Sequence, residues 1–341
     1  MKERPREITV LSTCPLPEVR ARLERIGPPF RVEQRPPATR AEIDALDDPD
    51  LEVLIAPYPP RDLRRTPRLR WLQLSRAGVE HLFADDPWAP GLTVTNARGV
   101  YAVPIGQYVL AEILRINERV DARRALQESR RWPTDDEADL LVGRQLRGQV
   151  IVVVGYGGVG REVARLAAAL GMRVIAVKSR PGQRAEDGFR VPGTGDPSGS
   201  IPERIVGLEA LTEVVQLADV VVLTAPLTDR TRGLFDRQLI GALRPDAWFI
   251  NVGRGAIVDE PALVEALRER RIGGAVLDVF VEEPLSPESP FWTLPNTLVT
   301  PHVSGADAAA GELVADLFEE NLRRYAAGEL LLNVVDPARQ Y

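Results

Sequence analysis

Three short segments of this 341-residue chain carry residue types that could do chemistry together. Asn251-Val-Gly-Arg-Gly255 sets an arginine between glycines, Leu277-Asp-Val-Phe-Val-Glu-Glu-Pro284 offers three acids, and Pro301-His-Val-Ser-Gly305 offers a histidine. A guanidinium presents a planar fork to a carboxylate. An imidazole exchanges a proton near neutral pH, and a carboxylate on its second nitrogen fixes its tautomer. Taken singly, each segment is also ordinary scaffold: an arginine solvated on a turn, acids capping a loop, a histidine satisfied by backbone. Together they describe a site with a cation for a carboxylate, a proton donor and an acid to orient it. The only histidines are His81 and His302, so imidazole chemistry has few places to sit; His81 reads as structural or rim-exposed.

A fourth segment names a partner for that chemistry. Ile151-Val-Val-Val-Gly-Tyr-Gly-Gly-Val-Gly160 is an apolar run breaking into glycines, followed by an amphipathic stretch from Arg161 to Leu170. It reads as strand, tight turn and helix. Gly155 supplies the turn, Gly157 lets backbone approach a pyrophosphate, and Gly160 allows close helix-to-strand packing. The unpaired N–H groups at the helix start suit an anion. An ordinary buried βαβ unit that binds nothing is the plainer reading of the same spacing, but a second strand at Arg173-Val-Ile-Ala-Val177 favours a dinucleotide.

The elements that must position these residues alternate strand and helix along the chain. Strands are expected at Ile8 to Leu11, Phe30 to Val32, Leu51 to Ile55, Leu69 to Leu74 and Leu92 to Thr95, with helical spacing at Pro17 to Ile26. That is a small α/β domain with a parallel sheet. A long helical pattern starts at Pro104. Six strands are then expected from Val150 onward, the last four at Asp219 to Leu223, Ala247 to Val252, Gly274 to Leu277 and Thr297 to Val299. Six is the number for a doubly wound dinucleotide domain. All the candidate segments follow strands, on the sheet edge where ligands gather. The stretch from Arg180 to Gly207, with Pro192-Gly-Thr-Gly-Asp-Pro-Ser-Gly-Ser200 inside it, reads as an exposed, mobile insertion. The helical Ala306 to Ala326 should return the chain to the first domain.

Composition narrows the class. Apolar residues at 44% and charged residues at 27% fit a soluble globular protein of about two domains. The net charge of −6, without acidic or basic blocks, argues against nucleic acid and membrane surfaces as partners. Cys14 is the only cysteine, which excludes an intrachain disulfide and a cysteine-based zinc site; no metal is expected. A charged start running straight into a strand, with no signal-peptide core and no apolar run of membrane length, makes the cytoplasm the default location.

On Gly155-Tyr-Gly-Gly-Val-Gly160, Asn251-Val-Gly-Arg-Gly-Ala-Ile-Val-Asp259, Asp278-Val-Phe-Val-Glu-Glu-Pro-Leu285 and Thr300-Pro-His-Val-Ser-Gly305, the chain resembles the D-isomer-specific 2-hydroxyacid dehydrogenase family over essentially its whole length. The resemblance implies a two-domain α/β fold, each domain with a parallel sheet. A Rossmann dinucleotide domain (104–303) is inserted into a smaller flavodoxin-like substrate domain (1–103 and 304–341). It implies Arg254, Glu283 and His302 as the catalytic set, with Glu283, directly before Pro284, as the matching acid. Cofactor contacts are expected from Gly155, Tyr156, Gly157, Gly158, Val159, Gly160, Ala225, Pro226, Val252, Gly253, Arg254, Asp278, His302 and Ser304. The substrate would meet Arg254, His302 and the backbone amides of Ala77 and Gly78. His302 would give a proton to the forming alkoxide while Glu283 holds its other nitrogen and keeps it protonated. Arg254 would hold the substrate carboxylate and polarise the carbonyl.

The expected activity is hydride transfer between a nicotinamide cofactor and a small 2-oxo or 2-hydroxy acid, D-isomer specific, with glyoxylate or hydroxypyruvate favoured. Phosphoglycerate is disfavoured because the chain ends soon after Ala326, and formate because that branch carries Gln where Glu283 stands. A homodimer is implied by the family alone. A dinucleotide-sensing scaffold with little turnover, like the family's corepressors, is the alternative from another class. For the cofactor, the place about 20 residues past the glycines, where an NAD site has an acid, reads Val177-Lys-Ser-Arg180. Lys178, Ser179 and Arg180 would welcome a 2′-phosphate, so NADP(H) is favoured, with NAD(H) possible. Gln107 stands where many members have Glu.

Overall fold

The computed structural model describes residues 7–14, 22, 30–35, 38–84, 91–186 and 188–341. The helical spacing at Pro17 to Ile26 lies, Arg22 apart, outside them. The chain divides into two compact units: Met1–Tyr101 with Asp187–Pro192 and Ala306–Tyr341, and Ala102–Glu186 with Gly193–Gly305.

The first unit has a five-stranded parallel sheet in the order β2-β1-β3-β4-β5. Its strands are β1 (Ile8–Ser12), β2 (Phe30–Gln34), β3 (Val53–Ala56), β4 (Trp71–Leu74) and β5 (Thr93–Thr95). This is the flavodoxin-like order. Side chains alternate across a strand, and both faces of this sheet are covered. Val10, Val53, Ile55 and Trp71 pack on one side with Val314, Leu317, Phe318 and Leu322 of the closing helix Ala310–Ala327. Leu11, Leu54, Leu72 and Leu74 pack on the other with Ile43 and Leu51. Phe318 and Tyr325 stack on Trp71 at 5.5 Å each, so the closing helix is part of this unit's core. Residues 188–192 also belong here: the Phe189 N–H donates to Asn333 Oδ1 at 3.0 Å.

The second unit has a seven-stranded parallel sheet in the order β12-β11-β10-β9-β6-β7-β8. The strands are β6 (Val150–Val154), β7 (Arg173–Val177), β8 (Arg204–Val206), β9 (Val220–Leu223), β10 (Trp248–Asn251), β11 (Gly274–Leu277) and β12 (Thr297–Val299). Helix α1 (Ala102–Asn117) packs on α2 (Gly158–Ala169), and Gly106 keeps the two close: a Cβ there would lie 2.8 Å from Glu162 Cγ. The chain builds from β6 outward to β8, then returns to lay β9 on the other side of β6. The ends of β6 and β9 therefore flank the switch point, where a doubly wound sheet opens a crevice for ligands.

Two expectations are corrected. The sheet has seven strands rather than six, because Arg204–Val206 pairs with β7 through Ile175, Ala176 and Val177. Three residues between a proline-rich stretch and Gly207 are too short to show a period of two. The segment from Arg180 to Gly207 is also not a mobile insertion: Asp196 and Pro202 within it are buried, and Asp196 accepts hydrogen bonds from Tyr156, Ser200 and Ile201. Its polar composition hides an order that comes from these hydrogen bonds and from Phe189, Ile201 and Ile205 packing on core clusters.

Candidate active site

The glycine-rich turn joins β6 to α2. Gly155 has φ +103°, and a Cβ on it would stand 2.5 Å from the Ala225 nitrogen, so no side chain fits. Thr224, at the end of β9, donates its hydroxyl to Gly155 O at 2.6 Å and braces the turn across the switch point. Gly160 is pressed on the same carbonyl, 2.1 Å from a notional Cβ, whereas a Cβ at Gly157 meets nothing within 4 Å. Gly157 is the N-cap of the twelve-residue α2, so the first-turn amides, including Gly158 and Val159, lack helical partners. An open cradle at a helix N-terminus fits a pyrophosphate. Tyr156 turns its side chain inward, buried, with its hydroxyl on Asp196 Oδ2 at 2.7 Å; only its backbone is left for a ligand.

The turn after β10 is organised by Asn251. Its Oδ1 accepts the Gly253 N–H at 3.0 Å and its Nδ2 donates to the Arg254 carbonyl at 3.2 Å, a local turn of the kind Asn side chains build. Val252 and Gly253 are buried against β9's exit, where a Cβ on Gly253 would lie 2.9 Å from Ala225 O. Ala225 is buried and Pro226 exposed there. Gly255 abuts the Phe280 backbone at 1.9 Å from a notional Cβ, which ties this turn to the one after β11. Arg254, between the two glycines, is extended and half-buried, with Nη1 on the Gly253 carbonyl at 2.8 Å.

The third element is the pair of turns after β11 and β12. Asp278 is fully buried, and its carboxylate accepts the Thr300 hydroxyl at 2.6 Å and the N–H groups of Val303 and Ser304 at 2.9 Å each. Its carbonyl accepts the His302 N–H at 2.8 Å. Tyr108 of α1 backs Thr300 at 2.8 Å, and burial pushes its phenol up to about 12. His302 is thereby held at φ +54°, a conformation non-glycine residues adopt only when surroundings impose it. Its Nδ1 lies 2.8 Å from Glu283 Oε2, and Glu283 Oε1 accepts the Phe280 N–H at 2.9 Å. The imidazole is half exposed at 50%, with Nε2 as the ring's other nitrogen.

Glu283 and His302 are thus in contact, and the Gly255–Phe280 packing joins Arg254's turn to the strand end that carries them. Asp278 and Ser304, expected on the cofactor, bond to each other beneath the histidine turn. Sequence reasoning missed Asn251, Thr300 and Tyr108 as supports. For Asn251 a signal existed: an Asn between a strand and a Gly-containing turn. For Tyr108, 192 residues away from its partner, none did. At the start of β7's exit, Lys178 is half-buried with its ammonium on the Gln183 carbonyl at 2.5 Å, while Ser179 and Arg180 are exposed. Burial, then the nearby Arg161 charge, pull the Lys178 ammonium below the ordinary lysine range. In the first unit, Ala77 and Gly78 follow β4, with the Ala77 carbonyl held by Asn96 Nδ2 at 2.9 Å. Beside them, Arg40 and Arg76 each place a guanidinium 5.4 Å from the Tyr58 ring, and His81 meets the same ring edge-on. Among the described residues no helix is long and apolar enough to cross a membrane, and no group of three or more metal-ligating side chains gathers.

A family model described as D-isomer specific 2-hydroxyacid dehydrogenase, NAD binding domain, matches residues 110–304. The chain is 34% identical over 264 residues to an (S)-sulfolactate dehydrogenase of Chromohalobacter salexigens, covering 77% of this chain and 79% of that one. It is 32% identical over 279 residues to a glyoxylate reductase of Aeropyrum pernix, covering 80% and 78%. Its fold is similar to an NADPH-dependent glyoxylate/hydroxypyruvate reductase of Sinorhizobium meliloti solved with NADP and sulfate. That match has a TM-score of 0.77, 26% identity, and covers 98% of this chain and 100% of that one. With the glycine cradle, the three strand-end turns and these likenesses together, the chain belongs to the D-isomer-specific 2-hydroxyacid dehydrogenase family and is an NAD(P)-dependent oxidoreductase.

Proposed function

We propose that the protein reduces glyoxylate to glycolate, or hydroxypyruvate to D-glycerate, with NADPH. The observation that carries the reading is the His302 Nδ1 to Glu283 Oε2 contact at 2.8 Å on the sheet edge that also bears Arg254 and the open Gly157 cradle. The nicotinamide supplies the hydride when bound. The remaining work belongs to the chain. The amides of Gly157, Gly158 and Val159 hold the pyrophosphate. Arg254 binds the 2-oxo acid through carboxylate and carbonyl oxygen and draws electron density from the carbonyl carbon. His302 Nε2 gives its proton to the oxygen as it becomes an alkoxide, and Glu283 balances the imidazolium and fixes the ring.

The substrate is supported by the similarity to the Sinorhizobium and Aeropyrum enzymes. NADPH is supported by the same Sinorhizobium likeness and by exposed Arg180 and Ser179 with no acid after β7. A second reading has one specific observation behind it. The Chromohalobacter relative is named for sulfolactate, a 2-hydroxy acid that carries a second anionic group. The scaffold alternative draws no support from relatives named as dehydrogenases and reductases.

Nicotinamide absorbance with glyoxylate, hydroxypyruvate, pyruvate and sulfopyruvate, each with NADH and NADPH, tests the proposal. Turnover of the first two with NADPH is expected. No turnover with any acid sinks the enzyme reading, a preference for sulfopyruvate moves the substrate to the second reading, and a preference for NADH sinks the cofactor assignment.

A further inference from the structure

The segment between β7 and β8 is gripped from one side by the start of α2. Arg161 is 2% exposed, yet all three of its guanidinium nitrogens meet that segment. Nη1 donates to the Asp196 carbonyl, Nη2 donates to the Arg184 carbonyl at 2.7 Å, and Nε lies 2.7 Å from Glu186 Oε2. Its Cζ stands 4.6 Å from the centre of the Tyr156 ring, and the Tyr156 hydroxyl closes the set on Asp196 Oδ2 at 2.7 Å. The next residue, Glu162, is 1% exposed and accepts the Gly195 N–H at 2.6 Å. A buried guanidinium is costly to desolvate unless it is partnered, and here two backbone carbonyls accept from Nη1 and Nη2 while the Glu186 carboxylate balances the charge beside Nε, which makes no hydrogen bond of its own.

What this grip fixes lies immediately before Arg184. The Gln183 N–H donates to the Arg180 carbonyl at 3.1 Å, and Lys178 Nζ donates to the Gln183 carbonyl at 2.5 Å, closing residues 178–183 into a turn. One end of that turn leaves β7, and the other is the residue before the one Arg161 holds. Ser179 and Arg180 stand exposed on it. Lys178, whose charge is spent on the turn, is a strut, which leaves Arg180 as the guanidinium the turn presents.

We propose that Arg161 is a positioning residue for cofactor choice: by fixing Arg184 and Glu186 it holds the 178–183 turn so that Arg180 and Ser179 meet a phosphate on the 2′ position of the adenosine ribose. The inference rests on the reading above that the cofactor is the phosphorylated dinucleotide. An ordered turn binds an anion better than a loose one because ordering has already been met in folding. The unphosphorylated dinucleotide gains nothing from it, so the residue acts on the difference between the two cofactors.

The test compares wild type, Arg161→Met and the milder Glu186→Gln by calorimetric titration with 2′,5′-ADP and with 5′-ADP, alongside KM for NADPH and NADH. Arg161→Met should weaken 2′,5′-ADP about tenfold and Glu186→Gln about threefold, with 5′-ADP and the NADH KM within about twofold. Equal losses for both probes, or no loss for either in a variant that melts like wild type, would overturn the proposal. If Arg161→Met fails to fold, Glu186→Gln decides alone. A wild type that binds the two probes equally sinks the cofactor reading itself, whereas selectivity that survives both substitutions sinks only the role of Arg161.

Discussion

His302 Nδ1 and Glu283 Oε2 stand 2.8 Å apart, although they leave neighbouring strand ends 19 residues apart in sequence. The contact fixes which imidazole nitrogen is left to work, because a ring nitrogen on a carboxylate carries the proton and Nε2 becomes the reacting atom. His302→Gln should lower kcat for reduction by about 10²–10⁴-fold, the usual share of a positioned general acid. Cofactor binding, followed by quenching of protein fluorescence, should stay within about threefold. Loss of cofactor binding in step with activity would show instead that His302 maintains the fold of the site.

Gly157 and Gly160 are three residues apart and should respond oppositely to the same substitution. Gly157 has extended backbone and open space around a notional Cβ, so Gly157→Ala should leave the melting temperature of the free protein nearly unchanged. It should raise the cofactor KM about tenfold, because the methyl occupies the room a pyrophosphate needs. Gly160→Ala drives a methyl to 2.1 Å from Gly155 O and should cost about 1–3 kcal/mol of stability. Equal melting temperatures for the two variants would refute the assignment.

The sequence spelled out the glycine turn, the strands that carry the chemical residues and the family, because apolar runs that end in Gly-containing turns are local signals. It did not reveal what holds those turns. Asp278 looked like one of three acids available to a ligand, and nothing in the string says that its carboxylate is fully buried on Thr300, Val303 and Ser304. The segment around Asp196 looked mobile because Gly, Pro and Ser dominate it, yet its order comes from Tyr156, Arg161 and Glu162 of another element. Long-range polar pairing of this kind leaves no periodicity to read.

Asp278→Asn keeps the shape of the side chain but turns one acceptor into a donor facing the N–H of Val303 or Ser304. Leaving a buried donor without its acceptor costs about 1–3 kcal/mol, which a urea unfolding midpoint resolves. Because the same segment sets the φ of His302, kcat should fall about tenfold or more while the cofactor KM moves little. A stability loss with kcat intact would separate Asp278 from the positioning of the histidine.

Asp196 gives the segment between β7 and β8 an acid limit. Burial pushes its carboxyl up, but the Tyr156 hydroxyl, the amides of Ile201 and Ser200 and the charge of Arg161 outweigh burial, leaving it below the ordinary aspartate range. A depressed folded-state value means that the carboxylate contributes stability in full above the unfolded value of about 3.9 and loses it as pH falls through the lower folded value. Wild type should therefore exceed Asp196→Asn in urea midpoint at pH 6, and the gap should narrow as pH is taken from about 4 toward 3. Asn cannot titrate, so its midpoint lacks this component of the fall. A gap that stays constant across that range would mean that the ionised carboxylate does not hold the segment, and that the bonds of Arg161 and Glu162 account for its order.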